Sequence, residues 1–393
     1  MFFLETAIVL FIGAFLLTYL TIPKIIGVVE YKRLMDDPNH RSSHSAKTPT
    51  LGGIAFFYTL IFALFFIKDK ALMNEAIYII PGLTILFILG LKDDLVVLSP
   101  GSKLMGQVMA IIFILANDSF TIDSFNGFLN VYEIPYYLYL VLGAFMMLTV
   151  INSYNLIDGI DGLASVVGIV IMIIYTTIFY TTQEYFFALL SITVNAILMA
   201  FLGFNLSSNK KIFMGDTGSL IVGFIISILT LKFLALKPDS YSELPFLLEN
   251  APLIAISILI VPLFDTARVF TIRLANKKGP FSPDRNHIHH VLIDYWGLSH
   301  KQASFIIGLF NLIFILIFIV LGSKAKNLGM VIMLVSVVIL LGYIFFKYNY
   351  NFTTLKQKII LKKRVNKIKA KVGDSASKGK QDDDLKSKKL KKL

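Results

Sequence analysis

The sequence predicts an all-α, polytopic membrane protein with about eleven transmembrane helices, its N-terminus outside and its C-terminus cytoplasmic. Composition is the first reason. Of 393 residues, 56% are hydrophobic, and the mean hydropathy is +0.74, against about 45–50% apolar for a soluble domain. Recurrence is the second. Apolar runs of roughly spanning length lie at 3–22, 52–67, 77–91, 104–116, 134–151, 163–182, 186–205, 218–236, 252–272, 303–321 and 328–346. Charge placement is the third. Residues 347–393 hold 16 of the 37 Lys and Arg, and such an excess marks the cytoplasmic side. With eleven spans, fourteen further Lys and Arg fall in inside loops, and five (Lys68, Lys70, Lys237, Lys324 and Lys326) fall outside. The sequence divides into a membrane domain, 1–346, and a basic tail, 347–393.

The first run has no small-residue cleavage site and leads into a polar loop with further spans behind it, so it reads as a span and not as a removable signal. The 104–116 run is the shortest of the set. With no Cys in the chain, disulfides, thiolate metal sites and thiol nucleophiles are excluded.

The polar connections 36–53, 92–103, 152–162, 205–217 and 273–302 all fall on the inside face. Ionisable groups near membrane depth are costly and usually functional, so five such loops on one face predict a single cytoplasmic site. Asp93 and Asp94 end the third span, where adjacent carboxylates need a cation or donors nearby. Lys103 and Gln107 open the next. Asn152, Asn155, Asp158 and Asp161 sit between two strongly apolar stretches, and the last three are spaced by three, which on a helical turn places them on one face. Their oxygens suit a hard cation such as Mg²⁺, which takes one or two protein ligands and fills its shell with substrate phosphates. Phe213 precedes Asp216, Thr217 and Ser219, which read as a cap for the eighth span; its N–H groups would then face the site as an anion receptor. Phe213 either stacks on a base or anchors at the interface. His287, His289 and His290 raise the question of zinc, but with no Cys or neighbouring Glu in a zinc motif, phosphate or sugar binding together with Arg285 is the stronger reading. Asp265 and Arg268 read as a structural pair.

In this order the segments resemble the polyprenyl-phosphate N-acetylhexosamine-1-phosphate transferases. The resemblance covers about residues 1–346. It rests on Asp36, Pro38, Asn39, Arg41 and His44; on Gly52 and Gly53; on Asp93 and Asp94; on Asn152, Asn155, Asp158, Gly159, Asp161, Gly162 and Leu163; on Phe213 through Ser219; and on Asp284, Arg285, His287, Ile288, His289 and His290. It departs from the pattern at Ser42 and in the 205–213 loop. The resemblance implies transfer of a HexNAc-1-phosphate from a UDP-N-acetylhexosamine to undecaprenyl phosphate, with release of UMP, in the bacterial inner (cytoplasmic) membrane. It favours GlcNAc and implies Mg²⁺, with Mn²⁺ as the alternative ion. It places Asn155 and Asp216 at the metal, Asp158 and Phe213 near the uridine, and Asp93 and Asp94 near the lipid phosphate. Lys103, Arg285 and the three His are placed on phosphates or sugar, and Asn152 and Asp161 on the substrate side. Relatives are often homodimers.

A phosphate monoester is mostly dianionic near neutrality, its second pKa being about 6. The lipid phosphate is therefore expected to attack directly, with Asp93 positioning it; the rival route is a covalent phospho-aspartate. Leu361, Val365, Ile368 and Val372, ringed by Lys and Arg, predict a basic amphipathic helix over about 355–372 on the inner leaflet, followed by a disordered end. A membrane surface fits this tail better than nucleic acid, as no aromatic is interleaved beyond Phe352. A cation- or proton-coupled transporter is the rival function. It predicts acids at mid-span and an internal repeat, whereas the acids here sit at span ends.

Overall fold

A computed structural model of the chain describes residues 2–36, 48–67, 73–277, 279 and 287–345. Arg285, most of the 36–53 loop and the 347–393 tail lie outside these residues. Two compact units are present, Met1–Ile339 and Leu340–Leu393; only Leu340–Phe345 of the second are described, as the end of a helix.

The first unit is a helical bundle. Each predicted apolar run carries a helix: α1 (Phe2–Lys32), α2 (Gly53–Phe66), α3 (Met73–Leu95), α4 (Pro100–Leu115), α5 (Tyr136–Ile157), α6 (Leu163–Thr181), α7 (Tyr185–Asn205), α8 (Gly215–Leu234), the pair α9 (Ala251–Ile258) and α10 (Ile260–Ala275), α11 (Ile288–Trp296) and α12 (His300–Gly322), with α13 (Asn327–Phe345) behind. Eight of these are long and apolar enough to cross a membrane, or nine if α9–α10 form one broken span. Helices α2 and α4, of 14 and 16 residues, reach about 21 and 24 Å at 1.5 Å per residue, short of a core of about 30 Å. The eleven expected spans therefore resolve into this smaller set plus two short apolar helices.

Two further expectations change. The run 252–272 is not one straight helix: its halves meet at Leu259 with a 67° bend. Pro262 lies in the first turn of α10, where its missing N–H removes a bond to the preceding turn. The 273–302 connection is not all loop, since it contains α11, which ends at Gly297 with φ +67°.

Polar caps set several helix starts. The Ser99 hydroxyl accepts from the Ser102 N–H, with Pro100 opening α4. Ser299 and Gln302 form a reciprocal capping box at α12.

Helix α8 is the axis of the bundle. In its most apolar stretch, 94% of residues are buried, and it packs on α2, α3, α5, α6 and α9. Small residues allow the close crossings, as is usual where helices pack without a hydrophobic drive between them. Gly53 lies against the backbone of Gly218. A Cβ on Gly90 would sit 2.5 Å from Thr217 Cα. A short hairpin of β1 (Met35–Asp36) and β2 (Thr48–Pro49) precedes α2. Beyond it the chain is sewn to the start of α8: Phe213 N–H donates to the Pro49 carbonyl, and Gly52 and Gly53 N–H donate to the carbonyls of Phe213 and Met214. The Gly52–Gly53 pair thus serves packing.

Candidate active site

The ends of several helices meet at one cavity. The C-terminal ends of α1, α3, α5 and α7 and the N-terminal ends of α8 and α12 contribute to a pocket of about 670 Å³. Its wall includes Asp93, Asp94, Asn155, Asp158, Asp161, Asn205, Phe213, Asp216, Ser219, His290 and His300.

The two adjacent aspartates do different things. Asp94 accepts from the backbone N–H groups of Asp216 (2.7 Å) and Thr217 (3.0 Å) and from the Thr217 hydroxyl. It caps α8 from another helix. Gly215 makes this possible: its φ is +71°, and a Cβ there would lie 2.7 Å from Asp94 Oδ2. The first N–H groups of α8 are therefore taken by a carboxylate, not held open as an anion receptor. Asp93 accepts from the Leu98 N–H at 2.6 Å and pairs with Lys103.

Lys103 Nζ lies 2.7 Å from Asp93 Oδ2 and 2.8 Å from Asp216 Oδ2, so one ammonium bridges α3 and α8. The other Asp216 oxygen accepts from Asn155 Nδ2 at 2.6 Å, and the same nitrogen donates to Ser219 Oγ at 2.7 Å. Gln107 is engaged elsewhere. It exchanges hydrogen bonds with Asn152 (2.8 and 3.2 Å), clamping α4 to α5, and Asn152 is not among the cavity-lining residues.

Asn155, Asp158 and Asp161 do reach one cavity, but not as one helical face. Helix α5 ends at Ile157; Asp158 is its C-cap, and Gly159 N–H bonds back to the Ile157 carbonyl at 2.8 Å. The turn, not helical spacing, brings Asp158 and Asp161 beside Asn155. The half-buried Asp158 carboxylate accepts no hydrogen bond from any described residue. Burial, and then the charges of Asp216, Asp94 and Asp161, push its pKa up to about 7. Asp161 is the opposite case. Burial raises it, but the hydrogen bonds from His300 and Lys211 outweigh burial and hold it below the usual carboxylate range.

The histidines cluster beside this turn. Asp265 Oδ2 lies 2.7 Å from His287 Nδ1, and Asp265 Oδ1 accepts from the Ile288 N–H at 2.8 Å, capping α11. Asp265 thus serves His287 and α11, a partnership the sequence reading had given to Arg268. His289 is buried against Gly159. Burial and the neighbouring His290 hold it well below the usual imidazole value, so it is neutral. His290 alone of the three lines the cavity.

Among the described residues no three His, Asp or Glu are grouped to hold a metal, so a closed zinc cage does not fit. An open site for a hard cation does. Asp216 and Asn155 carry oxygens at the cavity, and the half-buried Asp158 carboxylate, without a hydrogen bond from any described residue, lines it too. Oxygens of this kind suit a hard cation whose shell is completed by substrate phosphates, though here Lys103 and Asn155 Nδ2 occupy the two Asp216 oxygens.

The sequence did not single out His300, which lines the cavity, or Lys211, which lies beside it. Lys211 Nζ is 2.7 Å from Asp161 Oδ2 and 5.2 Å from the centre of the Phe213 ring. Their only early signal was a lysine and a histidine inside loops already assigned to the site face.

Comparison with known proteins identifies the family. The family model for glycosyl transferase family 4 matches residues 76–234. A probable undecaprenyl-phosphate N-acetylglucosaminyl 1-phosphate transferase of Bacillus subtilis is 31% identical over 348 residues, covering 85% of this chain and 91% of the relative. The undecaprenyl-phosphate alpha-N-acetylglucosaminyl 1-phosphate transferases of Salmonella typhi and Escherichia coli K12 are each 28% identical. They cover 78% and 76% of this chain and 81% and 79% of their own lengths.

Proposed function

The chain belongs to glycosyl transferase family 4, in the branch of undecaprenyl-phosphate N-acetylglucosaminyl 1-phosphate transferases, and from that premise we propose that it transfers HexNAc-1-phosphate, with GlcNAc the favoured sugar, from a UDP-sugar to undecaprenyl phosphate. The products are undecaprenyl-diphosphate-HexNAc and UMP. The observation that carries this reading is the convergence of Asp93, Asn155, Asp158, Phe213 and Asp216 on one cavity at the ends of apolar helices. A site there meets a nucleotide from water and a lipid phosphate from the bilayer. We place it on the cytoplasmic face of a bacterial inner membrane.

The obstacle to such a reaction is the meeting of several negative charges. Asp216 and Asn155 would hold a Mg²⁺, which supplies charge neutralisation to the diphosphate and its leaving UMP. Lys103 is a cation already at the same place. Its ammonium sits between Asp93 and Asp216, both of which line the cavity. Phe213 offers a ring face to the base. The lipid phosphate needs no deprotonation near neutrality, so we assign Asp93 to positioning. Asp94 has both oxygens committed to α8, which argues against it as a nucleophile. The test is release of UMP from UDP-GlcNAc by purified protein in detergent with undecaprenyl phosphate, beside a panel of other UDP-sugars. Turnover that needs both substrates supports the reading; none with any UDP-sugar removes it. A phospho-aspartate trapped with UDP-sugar alone would replace direct attack by the covalent route.

A further inference from the structure

We propose that Lys211 and His300 are positioning residues that lock Asp161, and through it the Phe213 segment, in the shape that receives the nucleotide end of the donor. Three chain segments distant in sequence meet at a single oxygen. Asp161 belongs to the turn between α5 and α6, Lys211 to the connection between α7 and α8, and His300 to the first turn of α12. Lys211 Nζ and His300 Nδ1 lie 2.7 and 2.9 Å from the same atom, Asp161 Oδ2. One helical turn beyond His300, Ser304 Oγ donates to the Asp161 backbone carbonyl at 2.7 Å, so both the side chain and the main chain of Asp161 are held by α12. The start of α12 is itself fixed by the Ser299–Gln302 capping box. On the other side Lys211 stands over the Phe213 ring, two residues along its own strand of chain. Asp161, Phe213 and His300 all line the cavity.

An ionised carboxylate only accepts, so His300 carries its proton on Nδ1 and turns Nε2 away from Asp161. Neither Lys211 nor His300 contacts Asp93, Lys103 or Asp216 in any described hydrogen bond. The lock therefore acts on one wall of the cavity and leaves the carboxylate–ammonium cluster untouched.

The inference rests on the assignment of the Phe213 wall to the nucleotide, and the experiment separates the two. Stabilisation of the purified protein against heat by UDP is titrated without turnover; donor and acceptor kinetics follow. Lys211→Met and His300→Ala are each expected to weaken UDP stabilisation and raise the KM for the UDP-sugar about tenfold, the size of one or two lost hydrogen bonds. The KM for undecaprenyl phosphate and kcat should stay within about twofold. Lys211→Arg and His300→Asn, which keep a donor near the same oxygen, should recover most of the loss and serve if the larger changes fail to fold. Because both residues act through Asp161, the double variant should lose clearly less than the product of the single effects. A fall in kcat at unchanged donor KM, an equal rise in both KM values, or multiplying effects would overturn the lock. So would wild-type protein that UDP does not stabilise. Wild-type protein that UDP stabilises but that releases no UMP would remove the proposed reaction and leave the lock standing.

Discussion

At the residue scale the site is a set of carboxylates whose neighbours assign them different states. Asp158 keeps its proton in the fold to about pH 7, whereas an unfolded aspartate loses it near pH 3.9. Between those values the unfolded chain releases a proton that the native protein retains, so this group's contribution to stability falls as pH rises from about 4 to about 7 and is level above. Asp158→Asn removes that penalty. Melting of the substrate-free protein should therefore rise by a few degrees at pH 8 and stay unchanged at pH 4; equal melting at both would place the carboxylate in a wetter setting. Asp216 carries the metal assignment. Asp216→Ala should lose nearly all turnover and also the thermal protection that MgCl₂ with UDP gives the wild type. Wild-type turnover at limiting Mg²⁺ would remove Asp216 from the ion. Much of this site was legible beforehand: Asn155, Asp158, Asp161 and Asp216 are uncommon polar groups at span ends, and with Phe213 they all reach the cavity. Lys211 and His300 were not, because their partner is 50 and 139 residues away and nothing local distinguishes a lysine or histidine already expected on a polar face.

At the scale of elements, hydropathy located every helix of the bundle except α11, but not how each one lies. Averaging over a window is blind to direction, so the 67° break at Leu259 left only Pro262 as a trace. The short reach of α2 and α4 was legible, since their apolar runs, 52–67 and 104–116, stop at Lys68 and Asn117. What the sequence does hold is the glycine code of the crossings. Gly90 on α3 faces the main chain of α8, where an added Cβ would lie 2.5 Å from Thr217 Cα and 2.7 Å from its nitrogen. Backbone at a helix start cannot yield as a side chain can. Gly90→Val should separate α3 from α8 and abolish recovery of monodisperse protein in detergent. Gly101→Ala, at a position with no atom within 4 Å, should leave yield and melting unchanged or slightly improved. Normal recovery of the Gly90 variant would mean that the two helices stand further apart.

For the whole molecule, the alternation of helix ends makes sidedness testable. The 205–214 connection belongs to the cavity end and the 117–135 connection to the other. The chain has no Cys, so a single introduced thiol reports its own location. Asn209→Cys and Glu133→Cys, both at exposed positions, should be labelled differently in intact cells by a membrane-impermeant maleimide: position 133 reacts from outside, and position 209 only after permeabilisation. The reverse pattern would invert the proposed topology and put the nucleotide site on the wrong side for a cytoplasmic donor.

The capping of α8 by Asp94 has a consequence for how this chain tolerates change. Two identical neighbours, 93 and 94, should answer substitution differently. In a library scored for both abundance and activity, position 94 should behave as part of the frame: most replacements lower the amount of protein, because two helix N–H groups and a hydroxyl lose their acceptor at about 1–2 kcal/mol. Position 93, which lines the cavity and pairs with Lys103, should yield abundant and inactive protein. Descendants of this sequence would then keep Asp94 even where the chemistry has been lost, and let Asp93 go first.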